Sequence, residues 1–216
     1  FLSNGHISPM FYSILAHRGY FPVAELATFR RLGTRLQGHP TTAEGLPGVR
    51  VASGSLGQGL SVAVGVAQAK KLANDNHLVY VLMGDGEQEE GQIWEAAMYA
   101  PAKNVDNIVA IVDYNKKQID GPTDDVLSLG DLRAKYESFG WKVWECNGND
   151  MQELVDTFNK IRENAHKGQS QILLAHTEMG MGVDFMMGTH KWHGVAPNDE
   201  QAANALSQLK ETLGDY

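Results

Sequence analysis

Short apolar runs alternate along the chain with longer stretches of helical periodicity. His77 to Met83, Ile108 to Val112 and Gln171 to His176 show no polar face, which is the pattern of strands in a parallel sheet covered on both sides. Trp141 to Glu145 reads as a fourth strand. Residues 8–18, 22–33, 57–73, 88–100, a short stretch ending near Phe139, 150–166 and 198–213 read as helices. Pro22 sits near the start of the second, where proline is tolerated, and Pro101 stops the fourth. Asp150 and Asn198 are natural caps for the last two. Residues 34–55, the turn-rich stretch from the second strand to Gly130, and the Gly-, Met- and His-rich stretch 178–197 carry no clear period and read as loops. Strand–helix–strand order with short links predicts an α/β fold: a doubly wound, mostly parallel sheet with helices on both faces. No repeat or linker interrupts residues 1–216, so a single domain is expected.

Composition narrows the function. The 216 residues are 43% hydrophobic and 20% charged, enough for one packed core and incompatible with disorder as the main state. The net charge of −8 opposes a polyphosphate backbone, so nucleic acid is not an expected partner. No apolar run approaches the roughly 20 residues that span a bilayer, so no membrane partner is expected. Cys146 is the only cysteine, which excludes an internal disulfide and suits a reducing cytoplasm. The 23 glycines exceed the usual share of about 7%, as tight turns and backbone packed close to a ligand require. The chain opens Phe1-Leu2-Ser3 with no Met and no signal-peptide pattern, like the exit of a strand, so residues preceding Phe1 are expected.

Gly84-Asp85-Gly86 closes the first buried strand, and Asp113-Tyr114-Asn115 closes the next, with one helix between. A right-handed crossover between parallel strands puts both carboxyl ends on one sheet edge, where ligands of open α/β sheets bind. Asp85 and Asn115 therefore emerge side by side. One carboxylate and one amide oxygen are hard donors that suit Mg²⁺ or Ca²⁺ rather than Zn²⁺. Mg²⁺ usually completes its shell with substrate phosphates, and Gly84 and Gly86 let backbone approach such a phosphate at a helix amino end. Glu87, Glu89 and Glu90 suit that helix terminus but would repel a bare diphosphate, a conflict that a bridging cation resolves.

The stretch GDGEQEEGQIWEAAMYAPAKNVDNIVAIVDYNKKQIDG (84–121) resembles the thiamin diphosphate motif of transketolases. LSNGH (2–6), GHP followed by LPGVRVASGSLGQGL (38–60) and WHG (192–194) resemble the same family in the same order. The resemblance covers nearly the whole chain, but only the family's diphosphate-binding domain. It implies thiamin diphosphate and Mg²⁺ as cofactors, with Ca²⁺ or Mn²⁺ as possible substitutes. It implies that Asp85 and the Asn115 side chain ligate the metal with the Lys117 carbonyl. By the same resemblance Gly86 donates its N–H to the diphosphate, Gly54, Leu56 and Gly84 line the cofactor pocket, and His193 reaches the diphosphate. His6 and His39 would face the reacting carbon and the sugar hydroxyls, and Glu90 resembles a carboxylate at the subunit interface that couples paired cofactors. Ser55 departs from the proline usual there. The implied reaction moves a two-carbon unit from a ketose phosphate to an aldose phosphate, with neutral histidines handling protons.

The pyrimidine-binding domain of transketolases, which carries an activating glutamate, is absent from the chain. The resemblance therefore implies an amino-terminal subunit or section of a split transketolase, inactive alone. It would need a carboxy-terminal partner, as a homodimer or in an α₂β₂ arrangement. The competing readings are a subunit of an α-keto acid dehydrogenase, a deoxyxylulose-phosphate synthase-like enzyme and a non-catalytic scaffold; the histidine contexts favour sugar recognition. The glycines of 54–59 stand in the wrong order for a dinucleotide fingerprint, and no clear strand precedes them. His176, His190 and His193 lie in or near a segment without helical period or thiols, which argues against zinc. Met179, Met181, Met186 and Met187 read as flexible packing under a mobile loop, and Cys146 reads as a small buried residue.

Overall fold

A computed structural model describes residues 1–210. The elements, in chain order, are α1 (Ser8–His17), α2 (Gln58–Leu72), β1 (Val79–Gly84), α3 (Gly91–Ala102), β2 (Ile108–Tyr114), β3 (Lys117–Gln118), β4 (Gly121–Pro122), α4 (Thr123–Leu127), α5 (Leu132–Phe139), β5 (Lys142–Asn147), α6 (Met151–Glu163), β6 (Gln171–His176) and α7 (Asp199–Gln208). Four strands form a parallel sheet in the order β1-β2-β6-β5, and β3 and β4 form a small antiparallel hairpin. Residues 1–3 run alongside β1, with the Ser3 N–H donating to the Leu82 carbonyl at 2.8 Å and the Leu82 N–H to the Phe1 carbonyl at 2.9 Å.

Alternate strand residues enter two different cores, as a period of two demands. Val79, Val81, Met83, Ile108, Ala110, Val112, Ile172 and Leu174 pack with α2, α3 and α5 on one face. Val109, Leu173, Ala175 and Cys146 pack with Ile161, Leu154 and Phe158 of α6 on the other. The expected parallel sheet with helices on both faces is thus the observed one. A third cluster, built on Tyr12, Leu15, Phe21, Leu36 and Leu46, anchors the loop 34–55 to α1.

Several expected boundaries move. Residues 22–33 do not form an α-helix: a 3-10 turn covers Val23–Thr28, Phe29 leaves the helical region at φ −52°, ψ 130°, and Arg30 takes φ +57° while its N–H bonds the Leu36 carbonyl at 2.8 Å. Closure onto the third cluster overrides the local helical pattern there. The turn-rich stretch after β2 contains the β3–β4 hairpin and α4. The last helix ends at Gln208, because Leu209 is extended; the expected continuation to 213 falls partly outside the described residues.

Helix α3 runs one residue past Pro101. Proline has no N–H to give the carbonyl four residues back. That carbonyl, Ala97 O, instead accepts the Trp141 indole N–H at 2.7 Å, inside the core. Replacing Trp141 by phenylalanine leaves this buried carbonyl unpaired and should lower stability by about 1–3 kcal/mol, read as a shift in urea midpoint with unchanged slope.

Candidate active-site cleft

β1 and β2 are paired with Gly84 opposite Asp113, so the residues just beyond them meet at one edge. Asp85 follows β1 and Asn115 follows β2, as the strand order requires. Both line a cleft of about 570 Å³. The chain turns sharply after Asn115: Lys116 adopts the left-handed region at φ +62°. That turn aims the Lys116 N–H at one Asp85 oxygen, while the Gly86 N–H donates to the other at 2.8 Å. Asn115 Oδ1 accepts the Lys117 N–H at 2.9 Å. Each of these side-chain oxygens keeps a lone pair beyond its backbone bond. The Gly86 N–H, expected to face a diphosphate, is here spent on the preceding carboxylate. Gly86 itself has no room for a side chain, since a Cβ would stand 2.8 Å from Gln118 Cβ.

Asp85 is 2% exposed. Burial pushes its pKa up to about 6, against the pull of the two N–H donors, and Asp113 adds to the rise. Glu87, Glu89, Glu90, Asp113 and Asp120 line the same cleft, against a single ammonium, Lys117, among its described lining residues. A cavity so charged repels an anion unless a cation comes with it. Two buried acceptors point to unmet donors or ions as well: Asn4 Oδ1 and Glu89 Oε1 have no hydrogen-bond partner. The donor chemistry at Asp85 and Asn115, one carboxylate and one amide oxygen, fits a hard divalent cation. Among the described residues no cluster of three or more His, Cys, Asp or Glu side chains is placed to hold a metal.

The expected histidines converge from three loops. The His6 and His39 rings meet edge to face with centroids 4.8 Å apart. His6 and His193 both line the cleft. Burial lowers the pKa of His6, helped by His39 and His193; burial, then His190, lowers that of His193. Both are therefore neutral at physiological pH, able to donate from one ring nitrogen and accept at the other. Gly54 abuts the His39 ring, and Leu56 lies on the cleft wall. Glu90 occupies the N-cap position of α3 at the cleft rim, exposed to solvent.

Three features escaped the sequence. The segment after Gly-Asp-Gly is not an α-helix but a 3-10 turn, Gly86–Glu89, before α3 begins at Gly91. Glu87, read as a helix-terminus charge, is instead 2% exposed and accepts hydrogen bonds from Ser3 Oγ, the Gly57 N–H at 2.8 Å and the Gly84 N–H at 3.1 Å. Gly57 reaches it only because φ is +83°, with no room for a Cβ beside Glu90. Gln88 is fully buried and bridges the Gly84 carbonyl (3.0 Å) to the Tyr136 hydroxyl (2.6 Å), fixing the end of β1 to α5. Only the return of Glu87 to Gly84, three residues back, was local enough to be guessed. The wider cleft wall adds Asn4, Ile119, Val126, Leu127 and Met179.

Comparison with known proteins places this geometry. Residues 1–214 match the model of the family described as transketolase, thiamine diphosphate binding domain. The chain is 41% identical over 212 residues to one of the subunits of the apulose-4-phosphate transketolase of Phocaeicola vulgatus, covering 98% of itself and 74% of that protein. It is 38% identical over 210 residues to 6-deoxy-6-sulfo-D-fructose transketolase subunit SqwG of a Clostridium species, covering 97% of itself and 75% of that protein. Among solved structures, a transketolase of Pichia stipitis in complex with sedoheptulose 7-phosphate superposes with a TM-score of 0.88 at 30% identity, covering 95% of this chain. The Campylobacter jejuni transketolase gives 0.88 at 31%, covering 96%. The chain spans about a third of these two transketolases, 32% and 33%.

Proposed function

The chain belongs to the transketolase thiamine diphosphate-binding domain family, and from that premise we propose that it is the diphosphate-binding subunit of a split transketolase. The observation that carries this reading is the meeting of Asp85 and Asn115 at one sheet edge, in a cleft whose charge demands a cation. The match to two proteins named as transketolase subunits supports the division into chains. In this reading residues 1–216 form one domain.

The Asp85 carboxylate, the Asn115 amide oxygen and the Lys117 carbonyl would hold Mg²⁺, for which Ca²⁺ or Mn²⁺ could substitute. The Gly86 N–H, which donates to Asp85 in this structure, would be the backbone donor available to the diphosphate. Gly54, Leu56 and Gly84 wall the cofactor. When bound, the thiazolium ring supplies the electron sink that lets a carbon–carbon bond beside a carbonyl break. His6, His39 and His193, two of them held neutral, pass protons to and from the sugar oxygens and orient the hydroxyls. Ile119, Val126, Leu127 and Met179 give the cleft an apolar side. Glu90, on the rim, faces a second subunit. The substrates are sugar phosphates, and the partner is a carboxy-terminal subunit carrying the pyrimidine-binding domain, assembled as α₂β₂. No described helix is long and apolar enough to cross a membrane. The free, buried Cys146 fits a cytoplasmic setting.

The test is reconstitution. The chain alone, given thiamin diphosphate and Mg²⁺, should turn over no ketose. Mixed with its carboxy-terminal partner it should transfer a two-carbon unit from ketose to aldose phosphate. Pyruvate consumption in the same mixture would favour a different thiamin enzyme, and an assembled pair that binds no cofactor would end the proposal.

A further inference from the structure

Lys117, on the cleft wall, also uses its side chain. Its Nζ donates to Glu178 Oε1 at 3.1 Å, and that same oxygen accepts the Gly188 N–H at 2.8 Å. The Lys117 side chain is 17% exposed and that of Glu178 34%. The Glu178 N–H is itself fixed to Asn149 Oδ1 at 2.7 Å. Glu178 thus stands at the head of segment 178–197 and grips both its middle, at Gly188, and the β3–β4 hairpin beside the cleft. Most other bonds of the segment are local. They include turns at 181, 183, 186 and 193 and the Trp192 indole donating to the Phe185 carbonyl at 2.9 Å. Asp184 ties the far side to Gln208 of α7.

We propose that the Lys117–Glu178 ion pair is a latch that positions segment 178–197, and with it His193, against the cleft. Lys117 and Glu178 are then positioning residues acting through His193. The inference rests on where His193 sits, not on which cofactor the cleft takes. A half-buried pair that also holds a backbone N–H is a larger constraint than an open surface pair, and its Coulombic part weakens with salt.

Amide hydrogen exchange on the full chain tests it, with Lys117→Met, Glu178→Gln and the charge-keeping Lys117→Arg. Amides of 180–193 should exchange about fivefold faster in the first two variants and near the wild-type rate in the third, while β1 and β2 keep their protection. Raising NaCl should speed the wild-type segment but leave the two uncharged variants unmoved. In the reconstituted enzyme, the apparent Kd for thiamin diphosphate with Mg²⁺ should rise in the same two variants and recover in Lys117→Arg. Unchanged exchange across 180–193 in both uncharged variants overturns the latch; so does acceleration spread equally through β1 and β2. If the segment loosens as expected but the assembled pair binds no cofactor in any form, the latch stands and the cofactor reading falls.

Discussion

Replacing Asp85 by alanine is expected to weaken thiamin diphosphate binding at least about a hundredfold at saturating Mg²⁺. That is the scale of losing about 3 kcal/mol when one partner of a buried charge pair is removed. Burial raises the Asp85 pKa to about 6 from an ordinary value of 3.8. A carboxyl raised on folding binds its proton more tightly in the native chain than in the unfolded one. Without a cation, the native chain therefore loses stability as pH climbs from about 4 to about 6, by at most about 3 kcal/mol for a shift of this size. A divalent cation binds the ionised form and reverses that loss. The same carboxyl then sets the lower limit of cation binding: affinity should fall roughly tenfold per pH unit below about 6. Calorimetry of Mn²⁺ or Mg²⁺ binding between pH 5 and 8, together with thermal unfolding with and without the metal, reads all of this. Flat cation affinity across that range, or an Asp85→Ala chain that binds cofactor like the wild type, would defeat the assignment. Asp85→Asn keeps the side chain's size and guards against a folding defect; it too should lose the pH-dependent part of the stability.

How far this could be read from the sequence depends on how local each constraint is. The sheet was legible because its strands are covered on both faces, and uninterrupted apolar runs such as Ile108–Val112 have few other uses. The juxtaposition of Asp85 and Asn115 followed from topology alone, since one helix between two parallel strands leaves little choice of edge. The histidine cluster, from three separate loops, was legible only through family resemblance; no periodicity links His6, His39 and His193. Residues 22–33 misled because their apolar spacing is helical, whereas the turn at Arg30 answers to Leu36 and the cluster around Tyr12. Pro101 misled for a related reason: the carbonyl it orphans is satisfied by Trp141, 44 residues from Ala97. Lys117 and Glu178 lie 61 residues apart, and two charges in a chain with many others give no sign that they meet.

Glu87 is the sharpest case, and it carries the second large effect. As a helix-terminus acid, its removal would cost at most about 1 kcal/mol. Its place in the structure demands more. The carboxylate takes the Gly57 N–H at the start of α2, the Gly84 N–H at the end of β1 and the Ser3 hydroxyl on the edge segment, so three pieces of chain converge on one buried group. Burial raises its pKa, while the donors of Ser3, Gly57 and Gly84 oppose the rise and the Glu90 charge adds to it. Glu87→Ala leaves two backbone N–H groups without an acceptor, the buried one of Gly57 and the part-buried one of Gly84, each costing about 1–3 kcal/mol, and opens a cavity besides. A total loss of about 3–5 kcal/mol should lower the melting temperature by roughly 10 °C in a chain of this size. Glu87→Gln keeps one acceptor oxygen but turns an N–H donor toward a backbone N–H, so it should fall between alanine and wild type. Circular dichroism melts of the three proteins without cofactor decide the matter. A shift of only two or three degrees for alanine would return Glu87 to the role of a terminal charge, and the convergence at Gly57 and Gly84 would have to be held by something else.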